Sequence, residues 1–88
     1  MKSAEEKLLE WGYEDVKILK DYGYDSALVG VSHDNRAIYD FDLMIEWLIE
    51  NEDFDEESAI EWIEYNTIRA LYYMGSEAPI ILYRFPLD

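Results

Sequence analysis

Glu57, Glu61 and Glu64 recur at i, i+4 and i+7, a spacing that sets three carboxylates along one face of a helix. With Asp55 and Glu56 they place five acids within ten residues, about one negative charge per 3 Å of helix axis. One DNA strand presents a phosphate roughly every 3.4 Å. Carboxylates at that density can occupy the lysines and arginines that would otherwise hold phosphates. The plainer alternative is a solvated face that keeps the chain in solution.

Other constellations are weaker. Asp53-x-Asp55-x-Glu57 with Glu64 at the twelfth place mimics a Ca²⁺-loop spacing, but Ser58 stands where the sharp turn needs glycine. From Glu57 onward the segment also has helical character, so its oxygens cannot wrap a cation. Ser32-His33-Asp34 holds the residue types of a hydrolytic triad, yet neighbours in a strand point to opposite faces and cannot form the relay. His33, the only histidine, is better explained as a polar residue at a hairpin tip. Asp40 and Asp42 are a carboxylate pair without a marked pocket. Cysteine is absent, and glycine is scattered at positions 12, 23, 30 and 75, so there is neither a thiolate site nor a phosphate-cradling loop. These residues imply no catalytic group, no metal and no cofactor; the expectation is a protein that is not an enzyme.

The charge is unevenly distributed. Residues 37–68 contain eleven of the 21 Asp and Glu residues and none of the seven Lys and Arg residues. Such a field repels nucleic acid and anionic lipid and attracts basic protein surfaces. Fourteen aromatic residues, including Trp11, Trp47 and Trp62, argue for a folded core rather than an acidic tail. The 88 residues suit one compact domain, 1–88. The opening Met1–Glu6 has no apolar leader-like run, and no apolar stretch approaches the roughly 20 residues that span a bilayer. A soluble cytoplasmic protein is expected.

Capping and periodicity place the elements. Ser3 and Glu6 fit a capping box, in which the Glu6 side chain reaches back to the Ser3 amide, before a helix over about 4–11 that Gly12 ends. Val16–Lys20 alternates as a strand, although Val16, Leu19 and Tyr22 also mark one helical face; the strand is favoured. Ala27–Phe41 predicts a hairpin turning at Asp34-Asn35, with Val31 opposite Ile38, Gly30 opposite Tyr39 and His33 opposite Arg36. Asp42 is the expected N-cap of a helix through about Asn51, with Leu43, Met44, Trp47 and Leu48 on one broad face. Asp55 caps a longer helix whose inward stripe is Ile60, Ile63, Thr67, Ala70, Leu71 and Met74, and Gly75 ends it. Ser76–Pro79 turns into a strand, Ile80–Phe85, closed by Pro86; apolar residues on both of its sides place it inside the sheet. The fold class is α+β: a small antiparallel or mixed sheet of three to four strands with about three helices, ordered α-β-β-β-α-α-β. Arg69 has no intrahelical carboxylate partner, so a tertiary pair with Asp40 or the C-terminal carboxylates is expected.

The segments His33–Leu48, Glu64–Gly75 and Pro79–Tyr83 together resemble a family of small uncharacterised proteins encoded by phages and prophages of Firmicutes. The likeness covers about residues 25–85 and carries no catalytic residues across. Tyr72 departs from it, since that pattern often has proline there. The resemblance implies a phage context, in which small acidic proteins often block host enzymes that bind nucleic acid.

Two functions follow as expectations. The first is a non-enzymatic binding protein that mimics nucleic acid and docks on the basic surface of a nucleic-acid-binding partner, as an anti-defence inhibitor. Glu46, Glu50, Asp53, Asp55, Glu56, Glu57, Glu61 and Glu64 would carry it. The second is a homo-oligomeric structural or assembly protein joined through an aromatic sheet face of Tyr39, Phe41, Tyr83 and Phe85. Neither calls for direct contact with nucleic acid or membrane.

Overall fold

In the computed structural model the structure describes residues 3–19 and 24–85; Lys20, Tyr22 and Pro86 lie outside them. Helix α1 spans Ala4–Glu10 and begins as its capping residues dictate. The Glu6 amide donates to Ser3 Oγ at 3.1 Å. The Glu6 carboxylate accepts from the Ser3 hydroxyl rather than from the amide of a full capping box. At the other end Gly12 takes φ +82°, and the amides of Gly12 and Tyr13 donate to the carbonyls of Leu9 and Leu8. This crossed pair satisfies carbonyls that the helix end leaves open.

Strands β1 (Leu28–Val31) and β2 (Ala37–Asp40) form the hairpin, and β3 (Ile80–Leu82) adds to β2 in parallel, giving a mixed sheet ordered β1-β2-β3. The hairpin register differs from the expected one. Val31 faces Ala37 and Gly30 faces Ile38. The cause is a loop one residue longer: Ser32 pairs with Arg36, the Asn35 amide donates to the Ser32 carbonyl, and only Asn35 takes positive φ, +65°. A turn followed by one left-handed residue is a common three-residue hairpin. A bulge at Val29 then shifts the register by one residue more, so that Leu28 faces Tyr39.

Burial corrects the place of the last strand. β2 is the central strand, with Ala37, Tyr39 and Asp40 buried and Ile38 half-buried. β3 is only three residues long and lies at an edge. Over its described part the strand expected at 16–20 is not formed: residues 16–19 carry no regular structure and join no sheet, so among the described residues the order is α-β-β-α-α-β, with the last helix, broken by a π turn, counted once. Leu19 is buried without a ladder, because its amide donates to Tyr39 Oη at 3.2 Å. A buried amide needs a partner, and a side chain serves as well as a strand.

Between β2 and β3 run helix α2 (Phe41–Asn51), helix α3 (Glu56–Trp62), a π turn (Ile63–Thr67) and the short helix α4 (Ile68–Leu71). A crossover of this kind is what a parallel strand pair requires. Met44 and Leu48 of α2 meet Ala59 and Ile63 in the core. The inward stripe expected on the long helix holds for Ile63 and Thr67, both buried, while Ile60, Ala70, Leu71 and Met74 are half-buried. Thr67 is the one polar residue of that stripe, and its hydroxyl lies 3.2 Å from the Tyr24 hydroxyl. The long helix ends at Leu71 rather than Met74, and Gly75 follows with φ +83°.

Burial pushes the Tyr39 phenol up to about 12, against the bond from the Leu19 amide, which favours ionisation. The unfolded phenol ionises near 10. Between these values the unfolded chain has released a proton that the folded chain keeps, so stability present below pH 10 is lost as pH rises. Urea unfolding should show a loss on the order of 2 to 3 kcal/mol across this window in the wild type, and Tyr39→Phe should remove that component. An unchanged alkaline slope in the variant would refute the assignment.

Candidate protein-docking surface

The acidic surface begins with the residue that starts α2. Asp40, 3% exposed at the end of β2, accepts from the Leu43 amide at 3.1 Å and is therefore the N-cap, in place of Asp42. Asp40 also receives Arg84 Nε at 2.6 Å, and Arg84 reaches the exposed Asp42 at 3.6 Å. The expected partnership of Asp40 with Arg69 is thereby replaced. Arg69 is exposed and pairs with no described carboxylate, and Asp88 lies outside the described residues.

From this start α2 projects Glu46 and Glu50 into solvent, and Asp53 follows with φ +59° in the connection to α3. Asp55 accepts from the Ser58 amide at 2.8 Å, as expected of an N-cap. Hydrogen bonds from the Ser58 amide and hydroxyl hold its carboxyl below the usual carboxylate range. Glu56 and Glu57 stand in the first turn, where the macrodipole favours anions. All eight predicted docking residues, Glu46, Glu50, Asp53, Asp55, Glu56, Glu57, Glu61 and Glu64, are exposed. Glu57 and Glu61 keep their helical spacing. Glu64 lies within the π turn, on backbone that is still α-helical at Trp62 and Ile63. It stands near enough to Tyr83 for its charge to add to the upward shift that burial gives that phenol.

None of the eight carboxylates pairs with a described cation. The described cations are engaged elsewhere, Arg69 excepted. Lys7 donates to the Asp25 and Leu28 carbonyls, Lys17 to the Met74 carbonyl, and Arg36 to the Ala78 carbonyl. Arg36 also lies 3.9 Å from Asp34.

The aromatic face expected to join subunits is not assembled as expected. Tyr39 is fully buried and belongs to the core. Phe41 is half-buried against Tyr83, with ring centroids 4.7 Å apart. Tyr83 and Phe85 are exposed, at 58% and 91%. Two clefts had no distinct signal in the sequence. One, of about 610 Å³, lies between residues 15–19 and Tyr24, Thr67, Ala70 and Met74. The other, of about 410 Å³, runs between α1 and β1 beside Trp11 and Val29. Periodicity could have flagged only the unusual exposure of Trp11, 78%, at a helix end.

Ser32, His33 and Asp34 occupy the hairpin loop. There the Ser32 hydroxyl donates to Asp34, not to His33. Among the described residues no three His, Cys, Asp or Glu side chains converge as a metal site would, and no helix is long and apolar enough to cross a membrane. No protein-family model, curated protein or solved structure matches the chain.

The cap assignment is testable by urea unfolding. Asp40→Ala should cost about 1 to 2 kcal/mol or more, since it removes the cap and strands Arg84. Asp42→Ala should stay within about 0.5 kcal/mol, as exposed pairs contribute little. The reverse ranking would return the cap to Asp42.

Proposed function

We propose that the chain is a non-enzymatic acidic binding protein whose α2–α3 surface docks on the basic groove of a nucleic-acid-binding partner and competes with the phosphates that the groove normally holds. The observation that carries this reading is the exposure of all eight carboxylates without a described cation to neutralise them. An acidic face that served only the fold would gain from internal pairing; this one leaves its charge directed outward. A cytoplasmic setting, expected from the sequence's apolar patterning, and an anti-defence role, which rests on the sequence resemblance alone, extend the same proposal.

A second reading, a homo-oligomeric structural protein, draws support from the exposed Tyr83 and Phe85 beside Phe41. Without Tyr39 its surface is smaller than the sequence suggested. That reading predicts a mass that rises with concentration and ignores acidic substitutions.

The test is a tagged capture from a Firmicutes lysate, with bound proteins identified by mass spectrometry. Wild type should retain a nucleic-acid-binding protein, and the triple variant Glu57→Gln, Glu61→Gln, Glu64→Gln should bind it about tenfold more weakly. Retention should also fall as salt rises, because exposed charges are screened beyond roughly 8 Å at physiological ionic strength. Recovery of only the chain itself, unaffected by the substitutions, would instead favour the oligomer.

A further inference from the structure

The carboxylates described above act as a field, and a field does not distinguish one cation from another. A shallow recess of about 300 Å³ interrupts that field where the α2–α3 connection meets α3 and the π turn. Phe54 and Trp62 line it, meeting edge to face with centroids 6.0 Å apart at 72°. Tyr65, 66% exposed, stands beside them, and the exposed Glu61 lines the same recess. Asn66 is tied to this wall by donating from Nδ2 to the Trp62 carbonyl at 3.2 Å.

We infer that this recess receives an arginine side chain of the basic partner, its guanidinium lying against the aromatic rings and pairing with Glu61. This rests on the acidic-docking reading and names its anchor. Charge complementarity selects the occupant. An apolar side chain would desolvate Glu61 without giving it a partner, and a phosphate would be repelled by it. A guanidinium is planar, weakly hydrated and able to stack on a ring while its N–H groups reach a carboxylate. Lysine offers a compact, strongly hydrated charge that gains less from the rings. Tyr65 stands outside the core cluster with most of its ring exposed, so the ring is open to contact with a partner.

Nona-arginine and nona-lysine carry equal charge and separate the anchor from the field. Titrated at low salt against the full chain and followed by tryptophan fluorescence, nona-arginine should bind about two- to fivefold more tightly. Tyr65→Leu should abolish that preference without shifting thermal unfolding. Glu46→Gln with Glu50→Gln on α2 should weaken both peptides alike and leave their ratio unchanged. Equal affinities in the wild type, or a preference that survives Tyr65→Leu, would overturn the arginine anchor while leaving acidic docking in place. Failure of both peptides to bind at low salt would overturn the anchor and the docking reading together.

Discussion

Asp40 holds three elements in one place: its carboxylate ends β2, caps α2 through the Leu43 amide and receives Arg84 from the residues after β3. A carboxylate 3% exposed is costly to bury without partners, and Arg84 is brought to it across the whole α2–α4 crossover. Closing that crossover puts β3 beside β2 in parallel and sets Tyr83 against Phe41. It also decides where α2 points, and therefore which surface carries Glu46 and Glu50.

The same closure shapes the electrostatics. Arg84 is drawn to Asp40 and Asp42, while Lys7, Lys17 and Arg36 spend their donors on carbonyl oxygens. Repulsion among the acids of α3 destabilises the helix by a few tenths of a kcal/mol per close pair. The Asp55 cap and the burial of Ala59 and Ile63 against Met44 and Leu48 offset it. The fold thus supports an outward charge that it does not itself neutralise, and aromatic rings at Phe54, Trp62 and Tyr65 give that charge a shaped feature.

Local signals were legible from the residues. The Ser3 start, the Gly12 stop, the Asp55 cap and the acidic exposure all depend on neighbours within one helical turn. Signals that depend on distant residues were not. The choice between Asp40 and Asp42 as the cap of α2 is coupled to Arg84, far along the chain, and the hairpin register to a loop one residue longer than two. Residues 16–19 alternate like a strand, yet Leu19 satisfies its amide on a tyrosine hydroxyl instead of a ladder. Tyr39 reads as one of the four members of an aromatic face because alternation alone cannot tell a central strand from an edge. The π turn has no local marker either; the Tyr24–Thr67 contact across the core accompanies it.

Competition measures the central claim most directly. A basic protein captured by the immobilised chain from nuclease-treated lysate should be released by excess duplex or single-stranded oligonucleotide at constant ionic strength, because both occupy one groove. A captured partner that stays bound while it takes up the oligonucleotide would show that the acidic surface docks elsewhere and would contradict mimicry.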